Sequence, residues 1–162
     1  MTNASVSTPL SRSAWTHPTA LPFAIMGTIA VVGGSLLSAA LAPNPSYHGN
    51  WAVAYIVLVA GVGQIVLGVG QAAVTAGRVR PAVVAVQALM LNLGAVATVI
   101  ATVDDIAALL YLAAVMQIVA LVGFLWVTRH VARGLTLMAL RIVAVLLLIS
   151  VPTGVVLQAL VH

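Results

Sequence analysis

From Trp51 to Thr75 the chain reads WAVAYIVLVAGVGQIVLGVGQAAVT, an apolar stretch without a single charged residue. At about 1.5 Å per residue, a helix of that length crosses the roughly 30 Å hydrocarbon core of a bilayer. The stretch also repeats itself: GVGQ stands at 61–64 and again at 68–71. Seven residues make nearly two helical turns, so Gln64 stacks over Gln71 and Gly63 over Gly70. Ala60, Gln64, Gly68, Gln71 and Thr75 then share one small, polar stripe, and Val, Ile and Leu fill most of the remaining surface. Lipid offers an amide no partner, so the stripe is expected to face protein.

The rest of the chain follows the same logic. With 63% hydrophobic and 5% charged residues, against about 25% charged in an average protein, it lacks the charge to cover a water-facing surface. The predicted fold class is all-α: a polytopic integral membrane protein built as a bundle of five transmembrane helices. The spans are expected at about 21–42, 51–75, 81–103, 106–127 and 135–161. Together they form a transmembrane domain, 21–162, behind a disordered cytoplasmic tail over 1–20 that is rich in Ser, Thr and Pro. Ala40-Leu41-Ala42 resembles a signal-peptidase site. The span before it exceeds the roughly 7–15 residues of a signal peptide's apolar region, and Pro43 would follow the cut, so the span is read as retained.

Within the spans, small residues mark expected helix contacts. Gly27, Ala30, Gly34 and Ser38 lie on one face of the first, with Gly34 and Ser38 spaced for close backbone approach. Gly63, Gly68 and Gly70 do the same in the second and Gly94 in the third. Pro43 to Asn50 reads as a turn, after which Trp51 and Tyr55 are expected to anchor the second span at the interface. Pro152 removes a helical hydrogen bond and, with Gly154 close by, makes a possible hinge in the fifth span.

All six arginines, Arg12, Arg78, Arg80, Arg129, Arg133 and Arg141, fall on one side of a five-span topology, and Asp104 and Asp105 fall on the other. The excess of positive charge on cytoplasmic loops then puts the N-terminus in the cytoplasm and His162 outside. Heavy use of Ala, Val, Gly and Arg without Lys is what a GC-rich genome produces, so a bacterial inner membrane is the expected location. The high isoelectric point, about 10.8, reflects arginine without lysine or glutamate rather than a nucleic-acid surface, so no nucleic-acid partner is expected.

Several chemistries are ruled out by residue type. Without cysteine there are no disulfides, thiolate metal sites or Cys-ligated clusters, and without lysine no Schiff base. His17 and His130 sit at one membrane side and His48 and His162 at the other, so no usual bis-histidine haem set is present. His48, His162, Asp104 and Asp105 form a conceivable metal set from three loops without diagnostic spacing. No cofactor is expected, and a chain without Cys, Lys or Glu has few general acids or bases for catalysis.

What remains are the polar residues inside the spans: Gln64, Asn92 and Gln117 near the midplane, and Gln71, Gln87 and Arg141 closer to the basic side. They serve either to fix helix register by hydrogen bonds or to line a path for a polar solute. Arg141 is expected to reach toward the headgroups, or else to bond Gln71 or Gln87. The first functional expectation is a non-catalytic membrane subunit or scaffold that associates laterally with other membrane proteins or with itself. It rests on small or polar stripes that five helices have little interior to hide. The alternative is a small channel or facilitator for a neutral solute, and the third is a haem or metal redox subunit.

Overall fold

The computed structural model describes residues 12–132 and 134–161. It is all-α, with five apolar helices long enough to cross a membrane: Leu21–Leu41, Tyr47–Thr75, Pro81–Val103, Ala107–Val127 and Leu135–Thr153, the last continuing as helix to Val161. They run alternately up and down, joined by short turns.

The second span starts earlier than its aromatic residues suggest. Ser46, extended at φ −122° and ψ 156°, accepts a hydrogen bond from the Gly49 N–H at 3.1 Å and caps a helix that begins at Tyr47. A serine in this position satisfies one of the free N–H groups of a first turn, so half of the expected 43–50 turn is helix. Its far end closes at Ala76 (φ 48°) and Gly77 (φ 70°), where the Gly77 N–H reaches the Ala72 carbonyl at 3.0 Å. The His17 ring lies where a side chain at position 77 would stand, so only glycine suits both the backbone and the space.

Order also begins before residue 21. Arg12–Trp15 forms a turn of helix, and Ala14 and Ala20 are buried against Val69 and Ala72 of the second span. Thr19 donates to the Gly77 carbonyl at 3.2 Å. The expected tail therefore ends well short of residue 20; residues 1–11, Arg133 and His162 lie outside the described residues.

The second span is the hub: 39% of its most apolar window is buried, against 11% in the first span and 17% in the fifth. The GVGQ repeat explains how one helix serves three neighbours. Gly61 and Gly68 face the first span, where a Cβ at Gly61 would stand 3.2 Å from the Val31 nitrogen and one at Gly68 would press into the Phe23 ring. Gly63 and Gly70 face the fifth, against Leu147 and Leu140. Gln64 and Gln71 face the third, where they meet Asn92 and Gln87. Positions 1, 3 and 4 of the repeat point in three directions, and repeating them after seven residues turns each into a stripe.

A second device sits in the same helix. Ile56–Gly63 winds as a π-helix, flanked by Tyr55 and Gln64. In a regular α-helix these two residues, nine apart, would project on opposite faces, roughly 180° from each other. Bonds from i to i+5 place about one more residue in each turn, which brings both side chains round to the interior. The apolar core gathers toward the basic end, with Phe23, Leu67, Val84, Phe124 and Leu140 each supplied by a different span. The Phe23 and Phe124 rings meet at 5.2 Å and 59°.

Candidate functional site

The polar side chains of the interior form a seam between the second, third and fourth spans. Gln71 and Gln87 are buried, at 0% and 2% exposure, and bond reciprocally. The Gln71 Nε2 donates to the Gln87 Oε1, and the Gln87 Nε2 to the Gln71 Oε1, both at 3.1 Å. Nearer the middle, the Gln64 Nε2 donates to the Asn92 Oδ1 at 3.5 Å, and the Asn92 Nδ2 to the Ala88 carbonyl at 2.7 Å. Two polar contacts thus tie the second span to the third, two turns apart.

Gln117 does not join them. It is buried in the close contact of the third and fourth spans, where a Cβ on Gly94 would stand 2.8 Å from the Gln117 Cγ. Its Nε2 donates to the Thr98 hydroxyl at 2.6 Å and to the Gly94 carbonyl at 3.2 Å. Its Oε1 accepts from the Tyr55 hydroxyl at 2.9 Å. Tyr55, expected at the membrane surface, instead carries its hydroxyl inward, with its ring stacked on Trp51 at 5.3 Å. Sequence reasoning missed this role because the π segment that turns Tyr55 inward leaves no mark in the hydropathy. Thr98 completes the group: its hydroxyl donates to the Gly94 carbonyl and accepts from Gln117.

Each buried side-chain nitrogen and oxygen among the described residues has a hydrogen-bond partner. A set of amides bonded to one another in this way resists helix rotation, because turning one helix leaves its neighbour's amide unpaired in a medium without water. Tyr55→Phe is expected to lower stability by about 1 kcal/mol, read as an earlier midpoint of detergent-induced unfolding, since Gln117 loses one donor and keeps its other bonds.

Arg141 takes neither Gln71 nor Gln87 as partner. Its Nη2 donates to the Thr128 carbonyl at 2.8 Å and the Arg129 carbonyl at 3.5 Å, beyond the last turn of the fourth helix. A cation there satisfies helix-end carbonyls and opposes the negative end of the dipole. Arg129 in turn lies 3.4 Å over the Trp126 ring.

At the opposite end, His48 and both aspartates are exposed, and no three His or Asp side chains gather among the described residues. Asp104 is the C-cap of the third helix, Asp105 occupies a left-handed turn position at φ 53°, and Ile106 rather than an aspartate takes the N-cap of the fourth. His162 lies outside the described residues, so the conceivable metal set is reduced to residues that do not converge.

Of the glycines expected to pack helices, Gly27 and Gly34 meet the second span at Ile65 and Val57, and Gly94 meets Gln117. Ser38, expected beside Gly34 in that contact, is exposed. Pro152 sits within continuous helix, followed by Thr153, whose hydroxyl donates to the Ile149 carbonyl at 2.8 Å; Gly154 is helical too. Comparison with protein-family models, with curated proteins and with solved structures finds no match.

Proposed function

We propose that the chain is a non-catalytic subunit or scaffold of a bacterial inner membrane, one that associates laterally with other membrane proteins or with further copies of itself. Mutual pairing of the buried amides carries this reading. Gln71 with Gln87, and Gln117 with Thr98 and Tyr55, use their polar atoms on one another, which suits a framework better than a reacting centre. What is left to interact is the outer surface. On the lightly buried first span, Thr28, Ser35, Ser38 and Ala39 lie exposed along one flank, and Ser35 bonds the Val31 carbonyl of its own helix. Small side chains there permit another membrane helix to approach closely.

Purification in mild detergent through a tag, with mass and visible spectrum read on one sample, tests the proposal. It predicts a species heavier than the 16.5 kDa chain that falls apart in Thr28→Leu with Ser38→Leu. A monodisperse monomer would count against it, and a Soret band would move the redox reading forward. Clustering of the arginines at one end supports a cytoplasmic N-terminus. In the cysteine-free chain, Asn44→Cys is then expected to react with an impermeant maleimide on whole cells, and Ala132→Cys only after permeabilisation.

One observation favours conduction of a neutral solute as the second reading. Tyr55, Gln117, Thr98, Gln64, Asn92, Gln71 and Gln87 succeed one another through much of the bundle's depth. Proteoliposome flux that disappears in Gln64→Leu and Asn92→Leu would support it, and unchanged flux in both would end it.

A further inference from the structure

Gln64 stands apart from the other buried glutamines. Gln71, Gln87 and Gln117 each use both ends of the amide, donating through Nε2 and accepting at Oε1, in bonds of 2.6–3.2 Å. Gln64 is buried to the same degree, at 2% exposure, yet its one bond is the 3.5 Å contact from Nε2 to the Asn92 Oδ1. Asn92 does not reciprocate, because its Nδ2 is committed to the Ala88 carbonyl at 2.7 Å. That commitment also fixes the direction of both amides: the Asn92 oxygen faces Gln64, so Gln64 must turn its nitrogen toward it and leaves Oε1 as the unpaired end. The Oε1 accepts no hydrogen bond among the described residues. Every sealed side-chain oxygen there has a partner, so this one borders space that a water molecule can touch.

We propose that the Gln64–Asn92 pair holds one water molecule near the bilayer midplane, in a site closed along the bundle axis in both directions. The occupant has to donate to the Gln64 Oε1. It can also accept the second hydrogen of the Gln64 Nε2 and donate to the Asn92 Oδ1, whose own contact is long. Three partners are the usual complement of a buried water. A cation would donate as well, but both aspartates lie in the turn at one end of the bundle, and nothing at this depth would neutralise it.

The layers on either side are dry. Six residues along the third span, about 9 Å away, Thr98 joins Gln117 and Tyr55 in a set held by bonds of 2.6 and 2.9 Å. Toward the basic end stands Phe23, fully buried against Gly68 and Phe124, and beyond it the reciprocal pair of Gln71 and Gln87. One wet layer between two dry ones is a binding site and not a path. It leaves the Gln64–Asn92 contact as the joint of the seam that yields most readily, since a water can replace the direct bond there and nowhere else along it.

Water-edited solid-state NMR of the full chain in liposomes, with isotope-labelled glutamine, tests this proposal. Each side-chain resonance is assigned by its loss in the corresponding leucine variant. Polarisation that starts on water is expected to reach the Gln64 Nε2 and to leave the Gln71 and Gln87 amides dark at the same short mixing time. Asn92→Leu removes one partner of the water and should cut the Gln64 signal to the level of Gln71. A Gln64 amide as dark as Gln71 in the wild type would overturn the proposal by making the midplane dry. Equal signals at Gln64, Gln71 and Gln87 would overturn it by making the seam a continuous wet path. The wild-type spectrum alone decides both, even where Asn92→Leu fails to fold. A Gln64 signal unchanged in a folded Asn92→Leu would also overturn it, since the water would then not be held between the two residues.

Discussion

Gly68→Val is expected to lose about 3 kcal/mol of stability, at the upper end of what overpacking a helix contact costs, while Gly33→Val is expected to change stability little. Both replacements put a β-branched side chain on a glycine of an apolar helix; they differ in what the new atoms meet. A Cβ at position 68 would fall 2.6 Å from the Phe23 Cγ and Cδ2, and Phe23 has nowhere to retreat, being fully buried against Phe124. The first and second spans would have to part, and their separation also strains the nearby contact of Thr19 with Gly77. A Cβ at position 33 meets nothing within 4 Å, and removing a helical glycine tends to help the helix slightly. Far-UV circular dichroism through a titration with dodecyl sulfate reads the difference. Equal midpoints for the two variants would mean that the first span does not dock on Gly68.

The number and extent of the spans were legible because bilayer thickness imposes a length on any apolar helix, whatever its neighbours are. Rotation was not, since it follows from packing. Gln64, Asn92 and Gln117 share a depth, and depth alone groups them. In the structure Gln64 meets Asn92, while Gln117 turns to Thr98 and Tyr55. The π segment is the physical reason for much of this. It shifts the facing of every residue on one side of Ile56–Gly63 relative to the other, and a fixed 100° per residue cannot anticipate it. The same limit bears on lateral association. The sequence predicts that five helices are too few to hide their small and polar stripes, yet Gly27, Gly34, Gly61, Gly68, Gln64, Gln71, Gln87 and Gln117 are all buried within one chain. The case for a partner therefore rests on the flank of Thr28, Ser35, Ser38 and Ala39, not on the stripes as a whole.

Gln71→Leu is expected to cost about 2 kcal/mol, and adding Gln87→Leu to restore part of that loss. In the single variant the Gln87 amide keeps its place in the dry contact but loses both its donor and its acceptor, since each of its bonds to Gln71 was one half of a reciprocal pair at 3.1 Å. Lipid-facing neighbours offer no replacement, and an unpaired buried amide is more costly than no amide at all. With leucine at both positions, two apolar side chains of similar size meet across the same gap. The double variant should therefore be more stable than the sum of the two singles implies, by roughly 1–2 kcal/mol. That non-additivity also separates the two leading functions. If Gln71 and Gln87 lined a wet path, water would take over the bonds of whichever amide remained; each single change would then be mild and the two effects would add. Unfolding midpoints of the four proteins, read beside proteoliposome flux, decide between a seam that holds helices in register and one that conducts.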